Sequence, residues 1–98
     1  MARGSRTPSE RKAERTIDLH GRRPEDALRY LGQELHAARV RGAREVLVIT
    51  GRGIGGRSGA PLLRGHVERW LAGPDAARLG VRGCERDAHG GALVVHLR

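Results

Sequence analysis

The run Val46-Leu47-Val48-Ile49 constrains this chain most. It is continuous, apolar and rich in β-branched residues. That pattern reads as a central strand, spanning Glu45 to Thr50, buried on both faces. Such a strand needs partners on each edge and helices to cover it. Ala92 to Leu97 reads as a second apolar strand, the last of the chain. Leu79 to Asp87 has few apolar residues, Val81 and Cys84, and its charges suit an edge strand. Thr16 to Gly21 reads as a short first strand ending in a turn.

Two helices fall between these strands. In the first, Pro24 suits the opening position, and Glu25 and Asp26 meet the positive end of the helix dipole. Leu28, Leu31, Leu35 and Ala38 recur at helical spacing, with Ala27 widening the stripe. The helix should end near Arg41-Gly42. In the second, Ala60-Pro61 opens a helix whose apolar stripe is Leu63, Val67, Trp70 and Leu71. It stops around Gly73-Pro74. The order is β-α-β-α-β-β. Right-handed crossovers place both helices on the same side of the sheet. The expected fold is an α/β (α+β) two-layer sandwich: a four-stranded mixed sheet with two helices on one face.

Ninety-eight residues suggest a single domain. Tyr30 and Trp70 are the only aromatics, so the core must rest on Leu, Val, Ile and Ala. The formal net charge is +8, and the excess is nearly all Arg, since Lys12 is the only lysine. A genome rich in G and C explains the choice of Arg over Lys better than it explains the excess of positive charge. Arg makes flat bidentate contacts with phosphates, so nucleic acid is the leading class of partner. Residues 1–15 lack apolar periodicity and carry Arg3, Arg6, Arg11, Lys12 and Arg15. They read as a disordered basic arm ahead of a domain spanning residues 16–98. Cys84 is the only cysteine, which excludes an intrachain disulfide, and C-x-x-C metal spacing is absent. No apolar run approaches membrane-spanning length, and the N-terminus lacks the apolar core of a secretory signal. A cytoplasmic, monomeric protein with no membrane partner is the expectation.

Thr16-Ile17-Asp18-Leu19-His20-Gly21 carries the most suggestive chemistry. Side chains alternate on a strand, so Ile17 and Leu19 face one way and Asp18 and His20 the other, toward the open side of the sheet or its rim. An imidazole with a pKa of about 6.5 exchanges protons near neutrality, and a neighbouring carboxylate can orient it. Such a pair could activate a water or a ribose 2′-hydroxyl for attack at phosphorus, or protonate a leaving oxygen. The competing structural reading has His20 capping the turn and Asp18 pairing with an arginine. Asp18 and His20 could hold a divalent metal, magnesium or manganese, only with help from water and phosphate.

Gly51-Arg52-Gly53-Ile54-Gly55-Gly56-Arg57-Ser58-Gly59 follows the central strand. Gly51, Gly53 and Gly56 satisfy G-x-G-x-x-G, yet the next helix starts only near Pro61, and the chain is too short for paired βαβ halves. No Gly-Lys-Ser/Thr is present, so a Walker A loop is excluded. Unhindered backbone amides with Arg52 and Arg57 could instead cradle a phosphate of a polynucleotide. The alternative is a plain flexible connector. Arg22 and Arg23, with Arg64 and Arg69 off the stripe of the second helix, could extend a basic surface. Trp70 reads as core rather than as a base-stacking platform. The five histidines share no zinc spacing; His36, His66 and His96 have no assigned role. His89, in the turn Ala88-His89-Gly90-Gly91, is a candidate second imidazole, though a solvated turn histidine is the plainer reading.

Asp18-Leu19-His20-Gly21 resembles the signature of the Smr (small MutS-related) domain. Thr50-Gly51-Arg52-Gly53 resembles the threonine form of the family's second motif, His/Thr-Gly-x-Gly, and Gly90-Gly91-Ala92 a shortened form of its third. The resemblance covers roughly residues 16–98. It implies the same two-layer β-α-β-α-β-β fold, which is similar to the C-terminal domain of a bacterial translation initiation factor. It also implies nucleic-acid binding and endonuclease activity, cleaving RNA or nicking DNA, in some members at ribosomes. On that implication Asp18 and His20 are catalytic. Gly21, Arg22, Arg23, Thr50, Gly51, Arg52, Gly53, Arg57, His89, Gly90 and Gly91 form the phosphate-binding or nucleic-acid-binding set. The alternative expectation is a non-catalytic module that docks on structured RNA, the ribosome or DNA. A nucleotide-binding domain using the glycine loop is a weaker third reading.

Overall fold

The computed structural model describes residues 15–51, 63–88 and 91–98. The elements are β1 (Arg15–Asp18), α1 (Pro24–Val40), β2 (Glu45–Ile49), α2 (Leu63–Leu71), α3 (Pro74–Arg78), β3 (Val81–Arg86) and β4 (Ala92–Leu97). The four strands form one mixed sheet in the order β1-β2-β4-β3. β1 runs parallel to β2, and β4 runs antiparallel to both β2 and β3. The expected four-stranded sheet with its helices on one face is the fold, and the charged strand β3 is indeed an edge.

The core lies between the sheet and that helical layer. Ile17 and Leu19 meet Val46, Val48, Leu93, Val95 and Leu97 from the sheet and Ala27, Leu31, Leu35 and Ala38 from α1. α2 adds Val67 and Leu71, and α3 adds Ala76. Trp70 and Tyr30 are half-buried at the margin of this cluster. Trp70 packs across Gly32 of α1, where a Cβ would meet the indole at 3.8 Å. The indole is therefore a packing group, as its place in the stripe suggested.

Four local features depart from the sequence reading. β2 is buried on one face only: Val46 and Val48 are covered, while Leu47 and Ile49 are half-covered on the open face. The four apolar residues pack inward alternately, and the outer pair is shielded only by neighbouring strands. The helix over Leu63–Leu71 stops ahead of Gly73-Pro74 as expected, but a further helix that the sequence reading missed follows the stop. Pro74 opens the short helix α3, with Asp75 in its first turn and Ala76 buried, because proline fits a helix start as well as a stop. Consequently β3 begins at Val81 rather than Leu79. Arg15 belongs to β1 rather than to the basic arm, and its guanidinium pairs with Glu34 of α1 at 3.1 Å. Residues 1–14 and the Ala60-Pro61 helix start lie outside the described residues.

α1 ends as expected. Gly42 takes a φ of +87°, its amide donates to the Arg39 carbonyl at 2.9 Å, and the Ala43 amide donates to Ala38 at 3.0 Å. This paired closure satisfies the last carbonyls of the helix and turns the chain directly into β2.

The one-sided core predicts an asymmetry between adjacent residues of β4. Leu93 is fully buried and Val94 half-covered on the open face. Leu93→Ala should cost about 2–5 kcal/mol of unfolding free energy, a large share of a small domain's total. Val94→Ala should cost clearly less. Urea denaturation followed by circular dichroism measures both, and equal losses would contradict the one-sided core.

Candidate acid–base site at the end of the sheet

β1 pairs with β2 as far as Asp18 opposite Ile49. One further hydrogen bond, from the Leu19 amide to the Ile49 carbonyl at 2.7 Å, carries the edge strand past its last ladder pair. The chain then turns. The Arg22 amide donates to the Leu19 carbonyl at 3.2 Å, and Gly21 sits at the corner with φ +80°, a conformation that side chains oppose. His20 is therefore the first residue of the turn rather than a strand residue. The alternation expected of Asp18 and His20 survives: both are exposed, while Ile17 and Leu19 are buried.

Asp18 and His20 are joined twice. The backbone amide of His20 donates to Asp18 Oδ1 at 3.1 Å, and its ring Nδ1 lies 2.6 Å from the same oxygen. These bonds to His20, helped by the nearby Arg22 charge, hold the Asp18 carboxyl below its ordinary value of 3.8. Asp18 is thus an ionised acceptor at neutral pH. An ionised carboxylate can only accept, so Nδ1 carries the proton and Nε2 is the basic nitrogen. The pair is open to water, with side-chain exposures of 66% for His20 and 52% for Asp18.

The second and third motifs meet here. The amides of Thr50 and Gly51 both donate to the Gly91 carbonyl at 3.0 Å. Gly51 has φ +88°, and a Cβ there would stand 3.6 Å from His20 Cβ. The three motifs, distant in sequence, converge at one end of the sheet. The Gly51 amide is already bonded to Gly91, so it is not a spare donor for a phosphate, contrary to the expectation from the glycine-rich loop. Thr50 is buried, and its hydroxyl donates to the Gly51 carbonyl at 3.3 Å. Both residues shape the backbone beside His20. Arg52, Gly53, Arg57, His89 and Gly90 lie outside the described residues.

Arg22 and Arg23 are exposed just beyond the turn. The Arg22 guanidinium lies over the Tyr30 ring, 4.1 Å from its centroid. Between this stack and the first turns of α1 runs an open groove of about 470 Å³, lined by Gly21, Arg22, Arg23, Arg29, Tyr30 and Gln33, among others. The sequence reading missed Arg29, Tyr30 and Gln33. The available signal was that Arg29 and Gln33 lie one helical turn apart on the exposed face, with Tyr30 beside them at the margin of the apolar stripe.

Arg69 is exposed on α2, away from the pair's own strand. His96 bridges Glu45 at 3.2 Å and Glu85 at 3.1 Å, while His36 is simply exposed. Among the described residues, no group of three or more His, Cys, Asp and Glu side chains could hold a metal ion. Asp18 and His20 are bonded to each other, so a magnesium or manganese ion here would rely on water and phosphate oxygens. No helix among the described residues is long and apolar enough to cross a membrane.

No curated protein matches the chain. Three solved structures resemble it at 26% identity. The Smr domain of Thermus thermophilus MutS2 has a TM-score of 0.69, with 86% of this chain and 98% of that chain covered. The human small-MutS related domain has a TM-score of 0.61, with coverage of 84% and 99%. The B3BP Smr domain has a TM-score of 0.57, with coverage of 85% and 77%. The family profile described as the Smr domain matches residues 17–98, a span that opens inside β1 and takes in the Asp18–His20 turn and both glycine motifs, and the chain belongs to that family.

Proposed function

We propose that this protein binds nucleic acid and cleaves its phosphodiester backbone, with Asp18 and His20 as the acid–base pair. The 2.6 Å contact between them carries the reading. Asp18 fixes the ring with Nδ1 protonated, which leaves the Nε2 lone pair to take a proton from an attacking hydroxyl, either water or a ribose 2′-hydroxyl. The new O–P bond forms as the P–O bond to the leaving oxygen breaks. The imidazolium, stabilised by the Asp18 carboxylate, returns the proton to the leaving oxygen or to solvent. Arg23 holds a phosphate near the turn, and Arg22 beside it contacts the bound strand. Arg52, Gly53 and Arg57, and the basic arm before β1, add further phosphate contacts whose strength falls steeply with salt.

The openness of the pair supports a second reading. Charges this solvated interact weakly with what they face, and catalysts of this kind act best where water is excluded. A non-catalytic module docking on structured RNA or the ribosome would use the same arginines and leave Asp18 and His20 to shape the turn.

Incubation with labelled single-stranded RNA, with and without EDTA, separates the two. The wild type should cut, and His20→Ala should cut about 10²–10⁴-fold more slowly while binding equally in a salt titration. Asp18→Asn should lose activity as well. Its amide can donate to Nδ1, which moves the ring proton to Nε2 and removes the base. The EDTA lane decides the metal. If both proteins bind yet neither cuts RNA or nicked, branched or supercoiled DNA, the binding module is the correct account.

The pair also predicts a titration. Carbon-13 NMR should place the Asp18 carboxyl midpoint below 3.8 in the wild type and higher in His20→Ala. A carboxyl whose folded midpoint is depressed contributes stability that is present above its unfolded value and is lost as pH falls through the folded one. The Asp18 contribution should therefore be complete above about pH 5 and disappear only below pH 3.8. An unmoved midpoint in His20→Ala would show that the two side chains do not pair in solution.

A further inference from the structure

The groove beside the turn has a chemistry that phosphate binding alone does not use. Its volume of about 470 Å³ falls within the range of small-ligand sites. One wall is a two-layer stack, the Arg22 guanidinium over the Tyr30 ring. Tyr30 is half-buried against the core, which holds the lower layer in place. Arg22 is exposed, so the upper face of a flat, weakly hydrated cation remains open. Arg23 and Arg29 supply charge at the margin, and Asp26 stands 3.5 Å from Arg29, where it orients the guanidinium. Gln33 adds an amide that can both donate and accept. Gly21 joins the groove to His20, its neighbour in the chain.

We propose that this groove holds one unpaired nucleotide of the bound strand, its base stacked on the outer face of Arg22 and its phosphate met by Arg23 and Arg29. The inference rests on the nucleic-acid reading above and deepens it by naming the substrate class as single-stranded. Planar guanidinium and aromatic groups take bases of any identity, because every base has a π-face. A base inside a duplex already has neighbours on both faces and cannot lie on Arg22 without leaving the stack. Duplex can therefore use the arginine charges but not the stacking wall. The groove lies next to His20 in the chain, so the nucleotide it holds flanks the one presented to the acid–base pair.

Arg22→Lys tests this, because lysine keeps the charge and discards the flat surface. Tyr30 is left intact because it packs against the core. The probe is a short oligonucleotide carrying 2-aminopurine, in RNA and in DNA form, as a single strand and annealed to its complement. Both proteins carry His20→Ala so that the strand stays whole. The parent should quench the single-strand fluorescence on binding, as stacking does. Arg22→Lys should bind the single strand about five- to tenfold more weakly with less quenching. Its affinity for duplex should fall by clearly less than that, and the salt dependence of binding should not change, because lysine keeps the charge. Unchanged single-strand affinity and quenching in Arg22→Lys would overturn the proposal, as would equal weakening for single strand and duplex. If both forms bind the parent without quenching, nucleic-acid binding stands and the groove assignment alone falls. If neither form binds at low salt, the nucleic-acid reading fails and the groove assignment fails with it.

Discussion

The central position of β2 is what the site depends on. Its last residue, Ile49, accepts the Leu19 amide from one neighbour, and the next two amides, of Thr50 and Gly51, share the Gly91 carbonyl at the start of the other. These bonds tie together the ends of three strands that are far apart in the chain. The acid–imidazole turn hangs from one of them, and Gly51 passes close to His20 in a φ of +88° that side chains oppose. Slippage of β2 by one residue would turn Val46 and Val48 outward and break all three contacts, since the side-chain period of a strand is two. The packing that stabilises the domain and the geometry that shapes its turn are thus set by the same register.

That register also sets where the ion pairs fall along the sheet. Asp18 lies opposite Ile49, whereas His96 lies opposite Glu45 at the other end of β2. There His96 sits between the carboxylates of Glu45 and Glu85; Arg86 of β3, opposite Leu93 and so nearer the Asp18 end, grips Glu68 of α2 through two contacts of 2.8 and 3.1 Å. These carboxylates all have partners within the protein itself. Arg22 and Arg23, at the Asp18 end, face solvent beside the turn. An anionic polymer meets these two arginines beside the acid–base pair, so local charge and local chemistry coincide at the turn.

Much of this was legible because periodicity reports burial. The spacing of Leu28, Leu31, Leu35 and Ala38, widened by Ala27, marked the inner face of α1; all are fully buried except Leu28, which packs half-buried against the cluster. Apolar runs located β2 and β4, and the charges of β3 placed it at the edge. The failures have physical reasons. Val46 to Ile49 looked buried on both faces because composition cannot distinguish a covered face from one that is merely crowded by neighbouring strands. Proline after glycine did mark the end of α2, but the same ring also begins α3, which the stop concealed. The Gly51 amide looked available because a glycine-rich stretch says that backbone can approach a ligand, but not whether another backbone arrives first. The groove was hidden because Arg22 and Tyr30 lie on different elements, a turn and a helix, and only the angle between them brings the guanidinium over the ring.

An acid–base pair this exposed would be loosely held if it depended on distant contacts. Asp18 and His20 avoid that dependence because they are two residues apart. The same carboxylate oxygen that receives the ring also receives the His20 backbone amide. The second bond fixes the carboxylate against the turn, as Asp side chains commonly do in such positions, and the ring then meets an acceptor that is already in place. Order comes from local geometry rather than from burial. Water still screens the pair when nothing lies over it, and a bound strand that lies across the turn would remove that water. On the proposed cleavage reading, the protein supplies orientation and the substrate supplies exclusion of solvent, so the reactivity of the pair would be set by how closely the strand fits over His20.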